Sequence, residues 1–169
     1  MKSRFTKRWK TAMRSDEKYM REALELAKIA FSEGETPVGA VVVKKSTGEI
    51  VGRGYNRREN AKSPLAHAEI IALDEASRTL GGWRVLDCEL FVTLEPCPMC
   101  AGAIINSRIE RVVYGAKDYK AGSVESVQKM FDLSYNHKPE VTSGILEDEC
   151  AEILSEFFKM LRRSKKERT

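Results

Sequence analysis

Two periodicities alternate along this chain, and that alternation limits the fold more than any other feature. Short, largely apolar runs at Val38–Val43, Leu90–Leu94 and Arg111–Tyr114 are separated by longer segments with helical spacing. A strand that is apolar on both sides must be covered on both sides. The intervening segments can provide that cover. Met20, Ala23, Leu24, Ala27, Ala30 and Phe31 fall on one face of a helix that Ser15 and Asp16 are predicted to open and Gly34 to stop. A second helix is predicted over about Ala66–Leu80, before Gly81-Gly82. A third runs from Pro98, which suits a first helical turn, to about Ser107. A short helix is predicted over Val124–Leu133. A last one starts near Asp148, with acids in its first turn and bases in its last. Glu49–Gly54 reads as the hairpin partner of Val38–Val43 across the Ser46-Thr47-Gly48 turn. Residues 56–64 and 116–123 read as loops, and 140–146 as a weak strand. The pattern predicts an α/β layered domain with a mostly parallel sheet. A length of 169 residues suits one domain with one sizeable core. No apolar run approaches the roughly 20 residues needed to span a bilayer.

Charge is distributed unevenly. Residues 1–14 hold Lys2, Arg4, Lys7, Arg8, Lys10 and Arg14 and no acid. Residues 159–169 hold Lys159, Arg162, Arg163, Lys165, Lys166 and Arg168 against one acid, Glu167. The net charge is only +4, so the body between these ends is acidic. An acidic body with two basic ends is a footprint for a polyanion. The four cysteines do not read as a disulfide framework, because no secretory segment accompanies them.

The chemistry concentrates in two short motifs. His67-Ala68-Glu69 opens the second helix, and Pro96-Cys97-Pro98-Met99-Cys100 joins a strand to the third. Side chains in a first helical turn tilt back toward the N-terminus. His67, Cys97 and Cys100 can therefore converge ahead of two helix ends. Those ends favour thiolate over thiol. Two thiolates and a neutral imidazole balance the charge of Zn²⁺. Three protein ligands leave one position open, the catalytic pattern rather than the closed structural one. Cys88 and Cys150 read as small core residues. Glu69 is then free to move protons. His-x-Glu followed by Pro-Cys-x-x-Cys is the known signature of zinc deaminases.

Thr36-Pro37-Val38-Gly39-Ala40-Val41-Val42, Gly54-Tyr55-Asn56, Ala66-His67-Ala68-Glu69 and Val92–Gly102 resemble the bacterial tRNA-specific adenosine deaminases, within the cytidine/deoxycytidylate deaminase superfamily. Ser107-Arg108-Ile109, Arg111–Ala116, Asn136-His137, Gly144-Ile145-Leu146 and Phe157-Phe158-Lys159 extend the likeness. The resemblance implies a three-layer cytidine-deaminase-like fold, a five-stranded mixed sheet with helices on both faces. It implies a homodimer with one Zn²⁺ per subunit and a tRNA anticodon stem-loop as substrate, while the cysteine usage and the lack of a spanning apolar run point to a cytoplasmic protein with no membrane partner. The reaction implied is deamination of the wobble adenosine of a tRNA, usually an arginine tRNA in this family, to inosine. The resemblance covers nearly everything from Glu17 to Lys166, and with the charge layout it suggests a basic extension over 1–14, a deaminase domain over 15–163 and a basic tail over 164–169.

By the same resemblance His67, Cys97 and Cys100 are zinc ligands, Glu69 the proton shuttle and Asn56 a contact to the flipped base. Asp118, Lys120 and Ser123 border the anticodon in relatives, and Asn136 and His137 match a pair near it. Phe157 and Phe158 are candidates for stacking on bases, although helical spacing places at least one in the core. Lys159, Arg162, Arg163, Lys165 and Lys166 are candidates for phosphate contacts. Leu65 departs from the threonine usual in relatives. Two competing readings are a deaminase of guanine or a cytosine nucleotide on the same zinc, and a non-catalytic RNA-binding module with structural zinc.

Overall fold

The computed structural model describes residues 2–167, with side chains from Ser15 onward. Five strands form one sheet: β1 (Gly39–Lys44), β2 (Ile50–Tyr55), β3 (Cys88–Leu94), β4 (Arg111–Ala116) and β5 (Glu140–Ser143). Their order is β2-β1-β3-β4-β5. β1 runs antiparallel to both β2 and β3, while β3, β4 and β5 are mutually parallel. The sheet is thus evenly mixed rather than mostly parallel. The short turn after β1 forces a hairpin, whereas β3 and β4 are joined through α4 and β4 and β5 through a long, largely irregular connection, each long enough for parallel pairing.

The apolar runs are buried on both sides, as their composition requires. Ala40, Val42, Leu90, Val92, Val112 and Tyr114 face α3 (Ala68–Leu80) and α4 (Pro98–Ser107). Val41, Val43, Phe91 and Val113 face α1 (Lys2–Ser32) and α5 (Glu147–Glu167), with Met20, Ala23, Leu24 and Cys150. Helices therefore cover both faces, in three layers. Cys88 and Cys150 are fully buried in these two cores.

Two helix boundaries differ from expectation. α1 begins at Lys2 and not at Ser15. Residues 2–14 contain neither proline nor glycine, so nothing stops the helix there. Asp16 does not cap it. Its carboxylate accepts two hydrogen bonds from Arg111, at 2.7 and 3.0 Å. Arg111 also reaches Glu89 and Thr142, binding four elements together. At the other end α5 continues to Glu167, with no break at 163. The basic side chains expected over 1–14, together with Arg168, lie outside the described residues.

The predicted helix over Val124–Leu133 is absent. Turns and a single 3₁₀ turn at Met130–Asp132 take its place. The cause is a competing acceptor: the amides of Val124, Glu125 and Ser126 donate to the Glu95 carboxylate. The irregular stretch 56–64 contains one four-residue turn of helix, α2 (Arg58–Ala61).

Close approach of helices to strands sets where the site forms. Gly52 and Gly54 on β2 leave room for α3, and a Cβ at either would strike the α3 backbone. The N-terminus of α3 is thereby pressed against the ends of β1 and β2.

Candidate active site

His67 and Cys97 are the N-cap residues of α3 and α4, both in extended conformation. Each is followed by helix, so both side chains project ahead of a helix end. Cys100 stands on the first turn of α4 and Glu69 on that of α3. Tertiary packing brings these ends together. His67 Nδ1 lies 3.7 Å from Cys97 Sγ and 3.6 Å from Cys100 Sγ. All three ligand atoms fall within 4.8 Å of one another.

These distances fit a zinc ion. With Zn–N near 2.0–2.1 Å and Zn–S near 2.3 Å, a tetrahedral N···S edge is about 3.6 Å. No other cluster of this kind exists among the described residues. The Cys100 thiol beside Cys97, with His67, lowers the Cys97 pKa to about 4 despite its partial burial. The same contact with Cys97 pushes Cys100 strongly upward, and burial adds to it. Metal binding needs both sulfurs as thiolates and so releases protons.

Glu69 is only 4% exposed and sits behind the ligands. Burial raises its pKa to about 7, and the neighbouring Cys97 charge adds to the effect. A carboxyl titrating near neutrality can both accept and donate a proton. His67, Glu69, Cys97 and Asn56 all line one cavity of about 550 Å³. Asn56 is buried just after β2, and its backbone N–H donates to the Val38 carbonyl just before β1. The rim of the cavity carries Lys117, Asp118 and Lys120 on one side and Leu154 and Phe158 of α5 on another.

The remaining candidates separate. Asp118 and Lys120 are on the rim, but Ser123 is buried, with its hydroxyl on the Ala121 carbonyl. Phe157 is core, packed edge-on against Phe31, whereas Phe158 is 43% exposed. Leu65 is exposed, close to His67 in sequence. Lys159, Arg162, Arg163, Lys165 and Lys166 lie on exposed turns of α5 beyond Phe158. Asn136 and His137 are not near the cavity of their own chain. His137 Nε2 lies 2.5 Å from the Ile109 carbonyl, beside the N-terminal ends of β4 and β5. The metal ligands are at the opposite end of the sheet.

One residue that matters here escaped the reading of single motifs. Glu95, two before Cys97, is buried and lines the same cavity. Burial alone would raise its pKa, but hydrogen bonds from Ser126, Glu125 and Asp118 outweigh it and hold the carboxylate below its ordinary value. Its sequence signal was a charged residue ending an otherwise apolar strand.

Known proteins share this arrangement. Residues 13–116 match the cytidine and deoxycytidylate deaminase zinc-binding region. A tRNA-specific adenosine deaminase of Bacillus subtilis is 49% identical over 155 residues, covering 91% of this chain and 95% of that protein. One from Haemophilus influenzae is 51% identical, covering 89% and 87%. A solved structure from work on A-to-I editing by tRNA:A34 deaminases at the wobble position superposes with a TM-score of 0.77. It is 43% identical and covers 80% of this chain and 97% of that one. A guanine deaminase from Nitrosomonas europaea superposes with a TM-score of 0.69 at 28% identity, covering 83% of each chain. The class is thus that of zinc-dependent deaminases, and zinc is the cofactor. Within it, the chain belongs to the tRNA-specific adenosine deaminase family.

Proposed function

We propose that this protein hydrolyses the wobble adenosine of a tRNA anticodon, that of an arginine tRNA, to inosine and ammonia. The observation that carries the reading is the cavity itself. Asn56, Glu69 and the metal ligands line one wall, while Lys117, Lys120 and Phe158 stand at its mouth. A pocket of that size takes one flipped base, and a cationic, aromatic rim suits the strand it is flipped from.

Zinc held by His67, Cys97 and Cys100 supplies, when bound, a Lewis acid that makes water nucleophilic near neutral pH. The chain's own residues do the rest. Asn56 presents a carboxamide to the edge of the adenine and orients C6 toward the ligands. Glu69 accepts a proton from the attacking water and delivers one to the ring nitrogen N1. Collapse to the C6 carbonyl expels the amine, which leaves as ammonia after taking a proton through Glu69. The position of Glu69 suits this double duty, because it lines the same cavity as His67 and Cys97 and so stands beside both the attacking water and the base. Phosphates of the anticodon stem-loop lie along Lys159, Arg162, Arg163, Lys165 and Lys166 on α5.

The protein acts as a homodimer in the cytoplasm. Exposed Trp83 and Leu86, with a groove between α3 and α4 lined by Ile70, Leu73 and Ala103, offer the apolar surface a subunit interface buries. Asn136 and His137, remote from their own cavity, would reach RNA only in a neighbouring subunit's site. No helix among the described residues is long and apolar enough to cross a membrane.

The test is incubation with an arginine anticodon stem-loop, digestion to nucleosides and mass spectrometry for inosine. Inosine is expected from the wild type and not from Glu69→Ala, which keeps its zinc. Turnover of free guanine with the stem-loop left unchanged would overturn the assignment in favour of a small-substrate deaminase. Equal inosine from Glu69→Ala would remove Glu69 from the mechanism.

A further inference from the structure

The first half of the loop over 117–126, Lys117 to Ala121, forms one side of the cavity, and five donors within the loop converge on a single carboxylate. Glu95 Oε1 accepts from the amides of Val124 at 3.2 Å, Glu125 at 2.7 Å and Ser126 at 2.9 Å. Oε2 accepts from the Asp118 amide at 3.1 Å and from the Ser126 hydroxyl. Backbone bonds close the same arrangement: Ser123 donates to the Pro96 carbonyl and Glu95 to that of Ala116. Asp118 in turn accepts from the amides of Lys120 and Ala121 through Oδ1. Gly122 is bare because of this packing. A Cβ there would stand 2.4 Å from both the carboxyl carbon and Oε2 of Glu95. Below the loop, the buried Tyr114 hydroxyl donates to the Glu125 carboxylate.

An ordinary surface loop satisfies its amides with water or its own carbonyls. This one hands four of them to a side chain anchored between β3 and the Cys97 helix. The wall bearing Asp118 and Lys120 is thereby tied to the same connection that carries a metal ligand. We propose that Glu95 is a positioning residue for substrate. It preorganises the 117–126 loop so that Asp118 and Lys120 meet the RNA without an ordering step, which lowers the cost of binding. This inference rests on the RNA-deaminase reading given above. It predicts an effect on KM rather than on the chemical step, because the hydrogen bonds of the Glu95 carboxylate go to the loop and none joins it to the ligand atoms or to Glu69.

Two substitutions break the arrangement from opposite sides. Glu95→Gln keeps the shape but replaces one acceptor oxygen with an amide donor, which meets the loop's own N–H groups. Gly122→Ala leaves Glu95 intact and pushes the loop off its carboxylate. Both proteins are compared with wild type on the anticodon stem-loop, with rates expressed per bound zinc. We expect KM to rise on the order of tenfold in each, with kcat within about twofold. Amide hydrogen exchange at Asp118 and Val124–Ser126 should accelerate in both while exchange in α3 and α4 stays as in wild type. A loss of kcat per zinc at unchanged KM, or unchanged exchange in the loop, overturns the proposal. If Glu95→Gln does not accumulate folded, Gly122→Ala decides alone. If the wild type itself makes no inosine, the activity reading fails, and the exchange measurement still tests whether Glu95 orders the loop.

Discussion

Replacing Gly54 by alanine should disable the metal centre without touching any residue in it. Gly54 lies on β2, directly under the first two turns of α3. A Cβ built there stands 2.1 Å from the Ala68 carbonyl oxygen and 2.7 Å from the Ala72 amide nitrogen. Both are helix backbone, so no flexible side chain can turn aside. Reaching even 3.0 Å from Ala68 requires the helix to retreat by about 0.9 Å. Ala68 is the residue between His67 and Glu69. A retreat of that size carries both with it, while Cys97 and Cys100 stay with α4. Metal sites tolerate departures of about 0.2 Å in ligand distance, and a misplacement of about 1 Å near reacting groups costs on the order of 10²-fold in rate. Overpacking adds about 1–3 kcal/mol of destabilisation. The expected result is lowered zinc content after dialysis, a lower denaturation midpoint, and turnover down by about 10²-fold even when zinc is resupplied. Gly102→Ala is the matched control. It lies within α4 with nothing inside 4 Å of the new Cβ, so it should gain about 0.5–1 kcal/mol and keep full activity. Full zinc occupancy and wild-type turnover in Gly54→Ala would refute the argument that the β2–α3 contact sets the ligand geometry.

Other changes test separate parts of the structure. Cys97→Ala should lose bound metal, read by elemental analysis after gel filtration; stoichiometric zinc in that protein would break the ligand assignment. Replacing Arg162 and Arg163 together by alanine should weaken stem-loop binding and reduce the slope of log K against log salt by about 1.5, as expected for two lost phosphate contacts. An unchanged slope would assign these arginines to solvent. Arg111→Met leaves the carboxylates of Asp16 and Glu89 partly buried and without the cation they share. It should cost about 2–3 kcal/mol in chemical denaturation, somewhat less than a fully buried pair because solvent still screens the group. A change below about 0.5 kcal/mol would show that the network contributes little.

Much of this was legible in the residues themselves. The helix from Pro98 to Ser107 ran as expected, since a proline at its first position and a uniformly apolar body leave little choice. The buried strands were legible because their runs are apolar on both faces. Other outcomes had no local signature. The Val124–Leu133 segment has helical spacing, yet its amides went to Glu95, a residue about 30 positions earlier in the chain. Phe157 and Phe158 are adjacent and chemically alike. Only the approach of α1 decided that Phe157 packs against Phe31 while Phe158 reaches the cavity mouth.

The metal set divides along the same line. His67, Cys97 and Cys100 were identifiable as ligands from residue type, spacing and their place at helix starts, because those are properties of short stretches of backbone. That His67 Nδ1 meets both sulfurs at 3.6–3.7 Å depends on two helices from different crossovers resting on one sheet. Local periodicity reports which side of an element is buried, and from it the elements and their chemistry follow. It carries no information about which strand lies beside which. The antiparallel start of the sheet, the convergence of α3 and α4, the capture of the loop by Glu95 and the remoteness of His137 from its own cavity are set by contacts between distant parts of the chain. Such contacts exist only once the layers have packed.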